Sequence, residues 1–242
     1  MKISVITVTW NSAATVADTL RSVNAQEHPD VEHILVDGNS TDATLSIVRA
    51  VGQRVTTLVS EPDRGIYDAM NKGVAAAHGT WVQFLGADDR LVGDMVLSEA
   101  LNWMKKTEAG VAAGEAAYDD GRLYKLRAHV NPLAGNFVRH QSAFYRRSLF
   151  EENGGFDVSL AVKADYDFNV RLWKNHVRFK PLPLRIAACG ARGRSNSGRW
   201  RGYGEEITVR HRYFAPWRCW FWDALSIGRF ARKKIARNFS RP

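Results

Sequence analysis

Hydrophobic and polar positions along the first 110 residues predict strands and helices in turn. Four short apolar runs bounded by turn residues predict strands, and the segments between them carry apolar residues at helical spacing. Strands that alternate with helices at this spacing are typical of parallel βαβ units. The predicted strands are 3–10, 31–36, 55–59 and 81–85, and the predicted helices are 13–26, 41–51 and 66–77, with Ser40 or Thr41 capping the second helix.

The pattern changes after residue 110. Turn residues at Asp119-Asp120-Gly121 separate two β-rich runs, which predicts a hairpin, and ADYDFNVRLW predicts the start of a helix. Further elements are predicted at 142–145 (strand) and 207–214 (helix, ended by Pro216), and the hairpin strands are 111–117 and 123–130. We therefore expect one α/β domain with two halves, a mostly parallel central sheet and helices on both faces. The expected divisions are 1–110, 111–215 and a C-terminal tail at 216–242.

Composition agrees with a single globular domain of 242 residues, since 45% of the residues are hydrophobic and 24% are charged. Cys189 and Cys219 lie far apart without metal-type spacing, which favours a reducing compartment. The N-terminal MKISVITVTW lacks the apolar core and cleavage site of a signal peptide, and no stretch reaches the roughly 18 apolar residues of a membrane span. We expect a cytoplasmic protein.

The net charge of +9 is concentrated in the tail. Residues 217–242 hold seven basic side chains against one acid, Asp223. On a helical wheel Trp217, Trp220, Phe221 and Leu225 fall on one side and most basic residues on the other, which is typical of a helix lying on an anionic membrane. The tail is therefore expected to hold the protein on the inner leaflet of the plasma membrane. The alternative is a helix packed on its own domain or at a subunit interface.

The most informative polar residues are the adjacent carboxylates Asp88 and Asp89. The buried run 81–85 and Gly86 precede them, so they are expected at the carboxyl edge of the sheet, where open α/β sheets bind ligands. Neighbouring carboxylates repel each other, and a hard divalent cation that also holds substrate phosphates would relieve that repulsion. The alternative is a solvated acidic turn.

Several motifs occur in a fixed order: TVTWNSAATVADTLRSVNAQ, VDGNSTDAT, SEPDRGIYDAMNKGVAAAHGTWVQFLGADD, HQSAFYRR, GGFD and ADYDFNVRLW. Over residues 3–176 this series resembles the inverting family-two glycosyltransferases of bacterial polysaccharide assembly. The resemblance implies the GT-A fold, a nucleotide-diphosphate sugar donor, Mg²⁺ or Mn²⁺, and a glycan or lipid-linked acceptor.

The resemblance also implies roles for individual residues on the donor side. Asp89 is the implied metal ligand and Asp88 the implied contact to ribose or to metal-bound water. The family often has a second acid after Asp37, where this chain has Gly38, and an isolated Asp37 is equally explained as a turn residue. The other implied donor contacts are Thr7, Thr9 and Asn11 for the base, and Asp63, Arg64, Asp68, Asn71 and Lys72 for the nucleotide-sugar pocket.

On the acceptor side the resemblance implies that Asp165 is the general base, with Asp167 as the alternative. Inverting transfer needs a group to take the acceptor hydroxyl's proton. His140 is expected to touch the donor diphosphate or the acceptor, unless it is structural. The segment 190–203 is either a solvated loop or one that closes over the diphosphate through its arginines, which are Arg192, Arg194, Arg199 and Arg201.

Other functional classes fit the sequence less well. A nucleic-acid-binding protein would explain the charge, but that charge lies in the tail and no nucleic-acid motif occurs. A dinucleotide-dependent oxidoreductase would explain the βαβ units, yet no GxGxxG follows the first strand. A glycosyltransferase-like assembly partner without strong activity stays open, although Asp37, Asp88, Asp89 and Asp165 are all present.

Overall fold

The computed structural model describes residues 1–28, 30–127, 129–190 and 200–239, with side chains up to residue 235. Within those ranges the strands join into one mixed sheet with helices on both faces, which confirms the predicted α/β fold. The strands are β1 (Ile3–Thr9), β2 (Val31–Asp37), β3 (Val55–Ser60), β4 (Trp81–Gly86), β5 (Arg90–Leu91), β6 (Val111–Tyr118), β7 (Leu123–Lys125), β8 (Ala143–Arg146) and β9 (Phe179–Cys189). The helices are α1 (Val16–Asn24), α2 (Thr44–Val51), α3 (Ile66–Ala75), α4 (Val96–Met104), α5 (Ser148–Asn153), α6 (Ala164–Lys174), α7 (Trp200–Tyr213) and α8 (Pro216–Phe239).

The first four strands are parallel and lie in the order β3-β2-β1-β4. Every residue of β1 is buried, as expected for a strand covered on both faces. The register pairs Thr9 with Asp37 and Asp37 with Ser60, so the carboxyl ends of three strands meet at one edge. Gly86 pairs with Val8, which brings the acidic turn after β4 to the same edge.

The second half extends the same sheet through β8, β6 and β9, and β5 of the first half pairs with β9 at the end of the sheet. The predicted hairpin is present as β6 and β7, but β7 ends at Lys125 rather than at residue 130. The sequence did not indicate β9, because Pro181 and Pro183 interrupt its pattern. This strand runs parallel to β6 and ends at Cys189, so it carries Gly190 to the acidic turn.

The predicted cap of α2 is wrong. The helix begins at Thr44, and the residue whose side chain accepts from the Thr44 N–H (2.9 Å) is Asp42. Ser40 instead donates its N–H to Asp37 over 2.8 Å. The turn after β2 thus uses Ser40 to hold the carboxylate of Asp37 at the sheet edge.

Aromatic side chains join α5 and α6 to the sheet. Phe150 stacks on Phe168 with ring centroids 4.5 Å apart, and both rings contact Phe156. Phe84 of β4 packs edge-on against Phe150 and Phe156. Burying each ring stabilises the fold by about 1.5–3 kcal/mol. This cluster fixes the N-terminal end of α6, where Asp165 lies.

The C-terminal helix α8 packs against α7 through the side that includes Cys219 and Ser226, both fully buried. Arg210 of α7 is fully buried and donates to Asp223 (2.8 Å) and to Ser226 (2.8 Å) on α8. The side that the wheel identified as apolar faces solvent, and its exposed members are Trp217, Trp220, Phe221, Leu225 and Ile235. In the described part of the chain, every helix is too short or too polar to cross a bilayer.

Candidate active site

The acidic turn after β4 lies between two glycines. Asp89 is buried and accepts hydrogen bonds from the Gly86 N–H (3.0 Å) and the Gly190 N–H (3.2 Å). A Cβ added at Gly86 would lie 2.6 Å from Asp89 Oδ2, and one added at Gly190 would lie 2.6 Å from Asp88 Oδ2. The absence of side chains at these two glycines therefore leaves room for both carboxylates.

The electrostatics of this turn favour a bound cation. Burial, followed by the charge of Asp88, raises the pKa of Asp89 to about 6. Desolvation by the surrounding protein atoms, together with the charge of Asp119, raises the pKa of Asp88 as well. Three carboxylates thus influence one another at the sheet edge, and a positive ion would favour their charged forms.

The donor set fits Mg²⁺ or Mn²⁺ with few protein ligands. Asp88 and Asp89 offer carboxylate oxygens, which hard divalent cations prefer. No group of three or more His, Cys, Asp or Glu side chains arranged to hold a metal occurs among the described residues. The remaining ligands would therefore have to come from substrate phosphates and water.

The carboxylate of Asp37 is fully buried at the ends of β1, β2 and β3. It accepts hydrogen bonds from the Thr9 hydroxyl (2.9 Å), the Ser60 hydroxyl (3.1 Å) and Ser40. Asn11, with a positive φ of 48°, accepts from the Thr41 N–H over 2.9 Å. Asp37, Thr9 and Asn11 therefore lie together at the edge, and their contact to a nucleotide base stays a prediction.

Thr7 is placed differently from what the sequence suggested. Its side chain is fully buried two residues before the end of β1, and its hydroxyl lies 2.9 Å from Nε2 of His33. Thr7 and Thr9 point to the same face of the sheet, but Thr7 lies two residues further from the edge, and its hydroxyl is engaged by His33 of β2.

Asp63 lies directly beside Gly38. A Cβ at Gly38 would be 2.3 Å from Asp63 Oδ2 and 3.5 Å from the ring of Trp10. The Asp63 carboxylate also accepts from the Gly65 N–H over 2.8 Å, which holds it in place. The second acid of the family's turn is absent at Gly38, and the space is occupied by a carboxylate from the loop before α3. Trp10, 58% exposed at this edge, was not identified from the sequence.

The charged residues around α3 form a chain of ion pairs. Arg64 donates to Asp68 (2.9 Å), and Lys72 pairs with Glu61 (2.8 Å) and with Asp68 (3.8 Å). Arg64 is largely exposed, so it is free to turn toward a ligand. These contacts confirm that Asp68 and Lys72 share a helical face, while their binding to a donor stays a prediction.

Asn71 has both side-chain groups engaged by the GGFD turn. Its Nδ2 donates to the Phe156 carbonyl (2.9 Å), and its Oδ1 accepts from the Phe156 N–H (2.8 Å). A Cβ at Gly155 would lie 2.6 Å from Asn71 Oδ1, so this turn needs a glycine beside the amide. Both polar groups of Asn71 therefore bind the backbone and join the two halves of the domain. Neither group is left free to contact a donor.

Asp165 is buried at the first turn of α6 and contacts four groups. Its Oδ1 accepts from the Tyr67 hydroxyl (3.0 Å) and the Tyr166 N–H (2.8 Å). Its Oδ2 accepts from the Asn136 amide (2.7 Å) and lies 3.3 Å from Nδ1 of His140. The structure therefore brings the predicted base and His140 together.

The charge state of Asp165 follows from these neighbours. Burial raises the pKa of its carboxyl, but the hydrogen bond and charge of His140, with the charges of Lys163 and Arg139, lower that pKa below its usual value. Asp165 is thus ionised at neutral pH. The charge of His140 also lowers the pKa of Asp89, so the imidazole acts on the carboxylates of both the metal side and the base side.

Asp167 lies on another side of α6 and is bound by α7. It accepts from Arg171 (3.1 Å), Arg212 (3.2 Å) and the Tyr213 hydroxyl (2.9 Å). These contacts make it a link between helices, so the alternative assignment of the base to Asp167 finds no support in the structure.

Glu205 of α7 holds the segment that leads into α6. Its carboxylate accepts from the N–H groups of Ala161 (3.0 Å), Val162 (2.8 Å) and Lys163 (3.0 Å). Arg201, one of the four predicted diphosphate ligands, donates to Glu205 over 2.9 Å and is thereby engaged on α7. The other three, Arg192, Arg194 and Arg199, lie outside the described residues.

The family model described as Glycosyl transferase family 2 matches residues 4–161, which is more than half of the chain. The chain belongs to glycosyl transferase family 2. Among its relatives, a PGL/p-HBAD biosynthesis glycosyltransferase of Mycobacterium tuberculosis is 36% identical over 188 residues, covering 71% of this chain and 70% of the relative. This family membership confirms the resemblance that the motifs indicated.

Solved structures share the fold of this family 2 glycosyltransferase at low identity. TarS 1–349 of S. aureus in complex with UDP-GlcNAc has a TM-score of 0.72 at 20% identity, covering 95% of this chain and 72% of TarS 1–349. Mannosyltransferase PcManGT from Pyrobaculum calidifontis in complex with GDP-Man and Mn²⁺ has a TM-score of 0.70 at 20% identity, covering 100% of this chain and 76% of its own. In a longer TarS structure the match spans 39% of that chain.

Several residues at the site are not evident from the sequence of this family 2 enzyme. Tyr67 lies within the quoted GIYDAMNKG motif, but nothing in its local pattern shows that its hydroxyl reaches Asp165. Asn136 and Glu205 lie 29 and at least 42 positions from their partners. Only tertiary packing brings Tyr67 of α3, Glu205 of α7 and Asn136 to the start of α6.

Proposed function

We propose that this enzyme is a metal-dependent inverting glycosyltransferase that moves a sugar from a nucleotide-diphosphate donor to an acceptor hydroxyl. The observation that carries the proposal is the pairing of two sites. One is a carboxylate pair with raised pKa values at the sheet edge, and the other is a buried, ionised carboxylate at the start of α6. His140 contacts Asp165, and its charge also lowers the pKa of Asp89.

On the donor side, Asp89 and Asp88 would hold the cation and the diphosphate. A divalent cation bound here neutralises the charge that develops on the leaving nucleoside diphosphate. Arg64 lies just before α3 and Lys72 lies on α3, and an arginine fork suits a diphosphate. The complexes of two structural neighbours with UDP-GlcNAc and with GDP-Man and Mn²⁺ support this class of donor.

On the acceptor side, Asp165 would take the proton of the attacking hydroxyl. In inversion the acceptor oxygen forms its bond to the anomeric carbon from the face opposite the diphosphate, and the bond to the diphosphate oxygen breaks. The proton of the hydroxyl passes to Asp165. All four positions around its oxygens are filled, and the 3.3 Å contact to His140 is the longest of them. The acceptor hydroxyl is expected to replace that contact.

Thermal unfolding with a panel of sugar nucleotides, with and without Mn²⁺, tests the proposal, because a ligand that binds only the native state stabilises it. We expect stabilisation by one donor class that requires the cation and is lost in Asp89→Asn. Asp94→Asn removes an exposed carboxylate of the same loop region and should change nothing. Undiminished transfer in Asp89→Asn, or full activity in excess chelator, would contradict the assignment.

We further propose that the acceptor is linked to a lipid, in cell-surface polysaccharide or glycolipid biosynthesis, and that α8 docks the cytoplasmic enzyme on the inner leaflet. The exposed aromatic side of α8 supports docking: Trp217 is 71% exposed and Trp220 is 69% exposed. Tryptophans favour the headgroup region, and each Lys or Arg gains about 1 kcal/mol near an anionic surface. Since α8 packs against residues 132–134, docking would bring the membrane close to the base.

Vesicle sedimentation tests the docking. Deleting α8 is unsuitable, because Arg210 would lose Asp223 and Ser226 while buried, and breaking a buried ion pair costs about 3–5 kcal/mol. The triple variant Trp217→Ser, Trp220→Ser, Phe221→Ser keeps those contacts and should no longer sediment with vesicles containing phosphatidylglycerol. Trp103→Ser removes an exposed tryptophan of α4 and serves as the control. Equal binding by both variants, or no binding by the unmodified chain at low salt, would contradict docking.

A further inference from the structure

A cleft opens beside the proposed base, between β7 and the segment that follows it. Its volume is about 500 Å³, and its wall includes Asn136, the residue that donates to Asp165. Arg139, which also lines the cleft, immediately precedes His140. The cleft therefore adjoins the proposed base.

The charge of the cleft is entirely positive. Lys125, Arg127 and Arg139 line it together with His129, and its described lining residues include no carboxylate. Arg127 is exposed, and so is Lys125, whose ammonium lies 4.0 Å from Glu115, so both side chains can move toward a ligand. A pocket with three cations and no acid selects for an anionic ligand.

Arg139 is the most constrained of these cations. Its guanidinium carbon lies 4.2 Å from the centre of the Tyr124 ring, which holds the guanidinium by a cation–π contact. Its Nε is buried and has no hydrogen-bond partner among the described residues. A buried donor left without a partner is costly, so an acceptor brought to Arg139 by a ligand would relieve that cost.

The cleft also offers apolar surface beside these cations. Tyr124 and Phe137 contribute rings, and Leu126 and Val130 contribute aliphatic groups. Phe137 is held edge-on against Phe179 with centroids 5.3 Å apart, so its position is fixed by the core. Aromatic faces next to cations suit an acceptor that carries both a ring or hydrocarbon portion and a negative charge.

We infer that this cleft binds an anionic group of the acceptor, a phosphate or a carboxylate, through Arg139 and Arg127 while the acceptor hydroxyl faces Asp165. The inference rests on the proposed function, since it names the class of acceptor for that site. An arginine fork binds either anion through two parallel N–H bonds. The acceptor would thus be recognised by its charge next to the sugar, and its apolar portion would lie along Tyr124 and Phe137.

Calorimetric titration of the full chain tests the inference with three matched probes: phenyl phosphate, benzoate and neutral benzyl alcohol. Chelator is present throughout, so that a metal at the acidic turn does not bind phosphate. We expect phenyl phosphate or benzoate to bind at least tenfold more tightly than benzyl alcohol. Tighter binding of phenyl phosphate indicates a phosphate-bearing acceptor, and tighter binding of benzoate indicates a carboxylate-bearing one.

Variants locate the binding. Arg139→Gln and the exposed Arg127→Gln should each weaken the binding of the preferred anion about tenfold, and Arg178→Gln, an exposed arginine paired with Glu108, should not. Equal binding of all three probes, or an anion preference unchanged in both cleft variants, would overturn the inference. Donor binding is followed separately with Mn²⁺ and sugar nucleotides. If no sugar nucleotide binds, the proposed function is refuted, while the measured binding of anions in the cleft still stands.

Discussion

Nδ1 of His140 lies 3.3 Å from Oδ2 of Asp165, and this contact controls the basicity of the carboxylate. The hydrogen bond and the charge of His140 lower the pKa of Asp165, against the effect of burial. Removing the imidazole should therefore raise that pKa. Because the base works only when ionised, the acid limb of the pH dependence of kcat/KM should move to higher pH in His140→Ala.

The measurement is a pH–rate profile of transfer, compared with that of His176→Asn, which removes an exposed imidazole that neither lines the cleft nor contacts Asp165. A profile of unchanged shape with uniformly lower rates would show that His140 does not set the protonation of the base.

Asp165→Asn keeps the size of the side chain and its contact with the Tyr166 N–H but cannot take a proton. The turnover number should fall by about 10²–10⁴, the usual contribution of general-base catalysis. Donor affinity, measured by calorimetry with Mn²⁺, should hardly change. Asp167→Asn provides the comparison, since that carboxylate joins α6 to α7 and its loss should lower stability more than turnover. Retained turnover in Asp165→Asn would show that another residue is the general base.

Glu205 is expected to position the base without touching substrate. Glu205→Gln replaces a carboxylate that accepts three N–H bonds by an amide with one oxygen, which should loosen residues 161–163 ahead of Asp165. Hydrogen bonds to a charged group contribute about 1.5–3 kcal/mol each, so a roughly tenfold loss in kcat is expected. Donor affinity should be kept.

The exposed Glu152→Gln is the matched control for Glu205. Partial recovery of kcat in Glu205→Asp would support positioning by a charged acceptor. An equal loss of kcat and of donor affinity would indicate general unfolding of the site instead.

His33 should make the fold sensitive to acid. Burial lowers its pKa to about 4, against an ordinary value of 6.5. Below pH 6.5 the unfolded chain binds a proton that the folded chain does not, so stability falls as pH decreases and the effect is complete near pH 4. The free energy of unfolding should fall by at most about 3 kcal/mol through this effect.

Urea unfolding between pH 7 and pH 4 measures this dependence. In His33→Gln the slope of unfolding free energy against pH should be smaller over that window. His176→Asn removes an exposed histidine at a positive φ that Asn tolerates, and it should leave the slope as it was. The same slope in all three proteins would exclude His33 as the cause.

The sequence predicted the first half of the fold well, because each strand from β1 to β4 is an apolar run next to a helical pattern. Asp37 and Asp89 were found for the same reason, since residues at the ends of parallel strands meet at one edge. β9 was not predicted, because its prolines hide the strand. The side of α8 that packs was also not evident, because its apolar contacts, made by Cys219, Trp222 and Phe230, are combined with the buried polar link from Arg210 to Asp223.

Individual roles were harder to predict than positions. Thr7 and Asn71 both lie in quoted motifs, yet their polar groups are bound within the protein by His33 and by the backbone of Phe156. Neither partner is within 20 positions in sequence. A motif therefore shows which residues belong to the region, while contacts between distant segments decide which of them remain available to a substrate.

The contact between Gly38 and Asp63 has a consequence for how this family varies. A side chain at position 38 would occupy the place of the Asp63 carboxylate, since its Cβ alone would lie 2.3 Å from Asp63 Oδ2. An acid at position 38 therefore requires the Asp63 carboxylate to leave its present place. Relatives with an acid at position 38 should carry a smaller residue at position 63, or hold the side chain of that residue in another orientation, so the two positions are expected to vary together.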